Sequence, residues 1–395
     1  MKLKKIEKDD TKKINKKKLV ILVLLLVLLL AIIATFMTYT MNEKFRIFCD
    51  SHIFSKNVKE DSLPSIKIED INNTKIFADT NYINVMNNNT ITKYNFNGKK
   101  ESDLSVEVTT PLISTNEDYS VIAEKSGSKI YLISKSGIVW QKEVEGKISR
   151  VKVNENGYVS IILSGTSYKS VIVLYDETGK EIFKTYLSTT VAVDTDVSAD
   201  NKCLAFAEVN MSGTLIQSNI KIVNIEKAKE DPANSIVYTY KADANNLIID
   251  INYQNTNKLI CKYNDSIHVI ENMEDKKIIE ISDKNQKETF CDIGLSSFIC
   301  NVSEESDGLF NTKTIAELIN SSGQKKSSYS LKGTVKSILC AGNKIGLNLG
   351  SEVDFIDTNG WLVKKYTANQ GIKEIVMSNN IAGIVCKDKI EIINL

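Results

Sequence analysis

The sequence predicts an all-β chain, a β-propeller of about eight four-stranded blades, preceded by one N-terminal transmembrane helix. Three observations predict it. Leu19 to Asn42 runs 24 residues without a charge. Beyond residue 65, short apolar runs rich in Val, Ile and Tyr are separated by Asn, Asp, Ser and Gly, which is a strand pattern. Those runs repeat at about 40 residues, the length of a propeller blade.

Residues 1–18 form a tail with nine lysines against Glu7, Asp9 and Asp10. Beside an apolar segment, lysines hold the N-terminus on the cytoplasmic side and attract anionic lipid. That accounts for the charge better than nucleic acid, which is not an expected partner. Residues 19–41, mostly Leu, Ile and Val, are long enough to cross a hydrocarbon core of about 30 Å. A cleaved signal peptide would have a shorter apolar core and a small-residue cleavage site. Here Ala31 and Ala34 precede the bulky Phe36, Met37 and Tyr39, so an uncleaved anchor is expected. The span has no Gly and no charged residue, hence neither a packing seam nor an ion path. It reads as a tether at the cell membrane, single-pass, with Tyr39 near the outer interface and the C-terminal part extracytoplasmic. Residues 42–64 read as a polar juxtamembrane spacer, whose Phe45, Ile47, Phe48, Ile53 and Phe54 are candidates for the membrane surface.

Residues 65–395 are the predicted propeller. KIYLISKSGIVWQKEV (129–144), SVIVLYDETGKEIFKTYL (170–187) and EVDFIDTNGWLVKKYT (352–367) align as strand, two-residue turn ending in Gly, strand. Gly137, Gly179 and Gly360 end these turns, with Gly98 and Gly323 as equivalents, because such turns require positive φ. Segments 114–124, 154–163, 198–208 and 378–386 share a polar turn before a buried strand. Inner strands are expected near residues 74, 109, 149, 192, 248, 289, 335 and 372. This gives eight blades, or seven if the first unit is partial. The last unit has only three strands, and the alternating SIKIED (65–70) supplies the fourth, closing the ring without an open edge.

KIYLISKSGIVWQKEV resembles the repeats of quinoprotein-like propellers, among them an outer-membrane assembly lipoprotein that uses the fold as a scaffold. The whole plan resembles a family of single-pass, membrane-anchored propellers of low-GC Gram-positive bacteria. That family implies no activity and transfers no functional residue. Quinone-binding propellers dock their blades through repeated Trp, whereas this chain has only Trp140 and Trp361. No quinone or other cofactor is expected.

Catalytic chemistry is thinly represented. The two histidines, His52 and His268, lack metal-ligand spacing, and no hydrolase, zincin or P-loop motif is present. The seven cysteines form no C-x-x-C pair. Cys203, Cys261, Cys300 and Cys386 fall on second strands and Cys291 and Cys340 on first strands. They therefore read as free apolar filler in separate blades, too far apart for disulfides. Cys49 reads as exposed and able to link two chains. Asp194, Asp196, Ser198 and Asp200 alternate like calcium ligands, but Ala205 stands where the bidentate Glu belongs. The stretch reads as a first strand with a solvated turn, and no metal is expected.

Loops carry the functional expectation. Turns from second to third strand are long at Ser164–Ser170, Val209–Asn219 and Ser303–Thr312, and they hold Tyr168, Met211, Leu215, Ile216, Leu309 and Phe310. An apolar docking patch on one rim is expected there. An insertion at Glu226–Ser235 falls on the opposite rim. The predicted function is a non-enzymatic scaffold that binds an envelope protein or a cell-wall partner. A ligand sensor signalling through the helix and a cell-envelope hydrolase are the alternatives.

Overall fold

Eight antiparallel sheets succeed one another along the chain in the computed structural model, which describes residues 16–54, 56–116, 118–280, 287–307 and 311–395. Their first strands are Thr74–Ala78, Pro111–Asn116, Lys147–Val153, Val191–Val197, Ile248–Tyr253, Lys287–Asp292, Ser337–Ala341 and Glu374–Met377. Blades 1 to 8 are numbered by them, and each begins within two residues of the position set by the repeat. The protein is an eight-bladed propeller.

Burial explains the sequence of each strand. In blade 3 the second strand (Val159–Ser164) and third strand (Ser170–Tyr175) are almost wholly buried. Both faces of a middle strand meet a neighbouring blade, so its apolar residues run on without alternation. Outer strands are wet: Lys100–Ser105 of blade 1 and Ile236–Lys241 of blade 4 are mostly exposed. Apolar clusters lie between adjacent blades rather than in one central core; Val121, Leu132, Trp140, Ile161 and Val173, for example, join blades 2 and 3.

Blade 8 is completed from the other end of the chain. Ser65–Lys67 pairs antiparallel with Lys389–Asn394, placing Ile66 opposite Ile390. Ile66 and Ile68 then pack with Ile83, Val376 and Ile392 in the seam between blades 8 and 1. A further strand, Asn57–Lys59, lies on the outer edge of blade 7 and makes that sheet five-stranded. Its three residues carry no readable period, and tertiary pairing alone makes them a strand.

The chain divides into two compact units after Asn57. The first contains helix α1 (Lys16–Met41), helix α2 (Glu43–Phe48) and a single π-turn, Cys49–Ile53. α1 includes an apolar stretch, Leu19–Met41, long enough to serve as a single-pass membrane anchor or a signal sequence. Asn42 breaks the helix with extended backbone and caps α2 by accepting the N–H of Phe45 at 3.0 Å, a usual N-cap role. The expectation that Cys49 is exposed is incorrect: it is 4% exposed, because the π-turn folds it inward.

Candidate interaction face

Antiparallel connectivity sorts the connections onto two rims. Turns between second and third strands share one rim with the links from each fourth strand to the next blade; it is called here the loop rim. Turns between first and second and between third and fourth strands form the other, the turn rim.

On the loop rim, residues 165–169 of blade 3 and 211–216 of blade 4 bulge beyond their strands. Tyr168 is 40% exposed, Met211 58%, Leu215 55% and Ile216 38%. The Tyr168 ring lies 4.7 Å from Tyr186, which is also exposed. Lys169 Nζ donates to Thr189 O at 3.1 Å and to Ser212 Oγ at 3.4 Å, so it ties the two loops together. The carbonyl of Ile216 accepts from Asn245 N at 3.0 Å, in the link toward blade 5. That link exposes Leu247, and Ile249 follows on the first strand. Four of the six residues singled out from the sequence are thus exposed on blades 3 and 4. Leu309 and Phe310 lie outside the described residues, beyond the ten-residue strands Phe298–Asp307 and Asn311–Asn320. Tyr186, Leu247 and Ile249 were not legible because they sit in or beside strands whose apolar residues usually face inward.

The turn rim is built differently. Asn95, Asn154, Asp176, Asn320 and Asp357 each accept two backbone N–H groups, from the second and fourth residues onward. A Gly three residues on donates its N–H back to the Asx carbonyl. These are Asx turns followed by a left-handed Gly, longer than the two-residue turns expected. Of the five turns singled out from the sequence, only the one at Gly137 has two residues between paired positions. A [Asn/Asp]-x-x-Gly spacing was the available signal. Many of these glycines also dock on the preceding blade. A Cβ on Gly179 would lie 3.0 Å from Trp140, on Gly323 2.9 Å from Ile278 O, and on Gly360 2.8 Å from Ser328 O.

Hydrogen bonds on this rim pass from blade to blade. Asn154 Nδ2 donates to Ser198 O at 3.2 Å, Asn252 Nδ2 to Ile293 O at 3.1 Å, Gln254 Nε2 to Phe298 O at 3.0 Å and Ser378 Oγ to Thr80 O at 3.1 Å. The same amides line the mouth of the central channel, a funnel of about 440 Å³. Their donors are spent on the ring, so the funnel is a seam of structural contacts before it is a ligand site.

Beneath the funnel, a charged cluster joins the first strands of blades 3, 4 and 5. Lys152 Nζ lies 2.9 Å from Asp194 Oδ2 and 3.5 Å from Asp250 Oδ1; Arg150 pairs with both acids. Asp194 Oδ2 also accepts Ile251 N at 2.9 Å, and Asp196 Oδ2 accepts Tyr253 N at 2.6 Å. The solvated reading of this acidic run is corrected for both residues. Asp194 and Asp196 are buried in the strand, and only Ser198–Asp200 makes the turn. Burial opposes ionisation of Asp194, but Lys152 and Arg150 outweigh it and hold the carboxyl below its ordinary range. Burial and a hydrogen bond with Asp194 push Asp250 the other way, up to about 7. Asp194 is neutralised by the side-chain cations, whereas Asp250 is held toward its protonated form.

Another acidic cluster, Glu60, Asp61 and Glu391, has the separation of metal ligands, yet Lys389 Nζ occupies its centre, 3.0 Å from Glu60 and 2.8 Å from Glu391. Asp61 N donates to Glu391 Oε1 at 2.8 Å and Gln370 Nε2 to Glu60 Oε1 at 3.1 Å. This is a clasp between the N-terminal segment and blades 7 and 8. His268 lies in the third strand of blade 5 with Nδ1 2.8 Å from Asp275 and its ring 4.9 Å from Tyr263. All seven cysteines are free. Placement in different blades does not keep them apart, however. Cys340 of blade 7 packs into the cluster that contains Cys300 of blade 6, and burial with that neighbouring thiol raises its pKa well above the ordinary value.

Fold and rims define a β-propeller with an N-terminal apolar helix and an exposed apolar loop face. The chain belongs to a family of unknown function, DUF5711, whose match covers residues 55–395. No curated protein matches the sequence. Among solved structures, the chain is similar to the C-terminal WD40 domain of Sif2, with a TM-score of 0.55, 11% identity and coverage of 83% of this chain and 98% of that one. Sqt1 from Chaetomium thermophilum gives 0.52 at 10% identity, covering 84% and 99%. BamB from Moraxella catarrhalis gives 0.47 at 12% identity, covering 84% and 98%. At these identities the likeness concerns the fold alone.

Proposed function

We propose that the protein is a membrane-tethered scaffold whose propeller binds an envelope protein through the loop rim of blades 3 to 5. In this reading α1 spans the cell membrane, the lysine-rich tail is cytoplasmic and the propeller is extracytoplasmic. One observation carries it: Tyr168, Met211, Leu215 and Ile216 are all exposed on linked loops of one rim, joined there by Tyr186, Leu247 and Ile249. Isolated exposed apolar residues are ordinary, but a group of seven on adjoining elements is the signature of a docking surface. Aromatic and Met side chains are the types enriched at the centre of interfaces. A rigid ring also holds such loops at fixed geometry without ordering cost at the moment of binding.

The test is photocrosslinking in cells from the full chain carrying a photoreactive residue at Met211 or Leu215. One discrete protein adduct is expected, reduced at least ten-fold by Tyr168→Ala/Ile216→Ser, with no adduct from position 97 on the opposite rim. Absence of an adduct from the loop rim, or an adduct indifferent to those substitutions, overturns the reading.

A further inference from the structure

The segment that follows α1 does not lead away from the helix. Twelve residues lie between Met41 and Phe54, and extended, that segment would span about 40 Å. Instead Phe54 returns to α1, its ring 5.8 Å from Tyr39 in an edge-on contact. A polar clamp fixes the return. Tyr39 OH donates to Asp50 Oδ1 at 2.6 Å, Lys56 Nζ pairs with the same oxygen at 2.8 Å, and Lys56 Nζ also donates to Tyr39 OH at 3.2 Å. Asp50 is 2% exposed, and a carboxylate so enclosed requires such partners. Lys56 Nζ also lies 5.7 Å from the centre of the Phe54 ring.

While Asp50 and Lys56 turn inward, apolar side chains turn outward. Phe48, Ile53 and Phe54 are each more than half exposed within seven residues of sequence. Tyr39 lies two residues before the end of α1, about 3 Å along the helix axis. Phe54, packed on Tyr39, therefore shares its depth. If α1 spans a bilayer, that depth is the boundary between acyl chains and headgroups, where aromatic rings and amphipathic segments are stable.

We propose that residues 42–54 form an interfacial cap that seats Phe48, Ile53 and Phe54 in the lipid headgroup region at the outer end of α1, locked by the Tyr39–Asp50–Lys56 clamp. The proposal rests on the membrane-anchor reading of α1. The occupant of the apolar surface is lipid, because the surface is continuous with the end of an apolar helix and in ring contact with it. The cap converts what reads as a loose spacer into a fixed collar.

Depth-dependent quenching tests it on the full chain in phosphatidylcholine–phosphatidylglycerol vesicles. Bromines are placed either near the glycerol end of the acyl chains or near their middle. The emission added by Phe54→Trp over the native chain is expected to fall roughly two-fold with shallow bromines and less with deep ones. Leu25→Trp, within the span, is expected to show the reverse order. If Leu25→Trp is quenched and Phe54→Trp is not, the anchor reading stands and the cap is overturned. If neither is quenched, the anchor reading fails and the cap with it. Adding Asp50→Ala to Phe54→Trp should cut the shallow quenching at least two-fold; unchanged quenching overturns the clamp as the element that seats the cap.

Discussion

Two sectors of the loop rim, across the ring from each other, are built in opposite ways. At blades 7 and 8 the rim is covered by the chain's own N-terminal segment. There Glu60, Asp61, Lys389 and Glu391 pair with one another, and Glu60 binds the link at Asn369 and Gln370. At blades 3 to 5 no segment of the described residues covers the rim, and it presents Tyr168, Met211, Leu215 and Ile216. The covered sector uses charge because its partner is always present and every carboxylate can be matched. In the open sector the surface is apolar, and apolar contact is non-directional, so it requires no matched group. The difference separates the part of the rim that completes the ring from the part that stays exposed.

Breaking the covered sector should have the largest effect. Lys389→Met leaves Glu60 and the fully buried Glu391 without their cation, and removal of one partner from a buried ion cluster costs about 3–5 kcal/mol. Thermal unfolding of the full chain should move down sharply, and proteolysis should first appear near residues 57–67. An unaltered unfolding temperature would mean that the clasp does not hold the ring closed.

The same substitution on opposite rims gives the next contrast. Gly360→Ala combines a left-handed backbone (φ +73°) with a Cβ 2.8 Å from the carbonyl oxygen of Ser328. It should cost about 1–3 kcal/mol from backbone strain alone. At Gly213, on the open loop, nothing lies closer than 3.8 Å, and Gly213→Ala should stay within about 0.5 kcal/mol. Denaturant titration of both variants measures the contrast, and equal losses would erase it.

A smaller effect is expected from pH. Asp250 is near 3.9 when unfolded and is raised to about 7 in the fold. Between these values the folded state holds a proton that the unfolded state has lost, so stability should decrease as pH rises through this window. With 38% of its side chain exposed, water screens the interaction and narrows this window. Asp250→Asn should flatten this part of the stability–pH curve; a curve identical to that of the native chain would show that Asp250 is not its source.

The least change should come from the open sector. Met211→Ser/Leu215→Ser removes exposed side chains only, and unfolding should shift by no more than about 0.5 kcal/mol. A larger loss would show that these residues pack against the blades and belong to the core.

Much of the architecture could be read from spacing. The hairpin at 170–187 and its counterparts gave the period, and SIKIED predicted the closing strand that Ser65–Lys67 forms with blade 8. The Asx turns are not legible in the sequence because an Asn or Asp three residues before Gly is common in loops, and only repetition on one rim gives it meaning. In the candidate site, Met211 and Leu215 were legible as apolar residues in a long polar turn. Leu247 and Ile249 were not, since an apolar residue beside a strand normally points inward.

Local pattern by itself determined the apolar helix, the blade repeat and the loops that carry unpaired apolar residues, because periodicity and turn chemistry act over a few neighbouring residues. Only the tertiary structure decided which distant charges meet. Asn57–Lys59 became a strand, Lys389 the cation of an acidic clasp more than 300 residues away in sequence, and Asp194 a buried partner of Lys152. Such pairings depend on how the ring closes. A carboxylate's environment is set by what folding brings to it, and nothing in its neighbouring sequence specifies that.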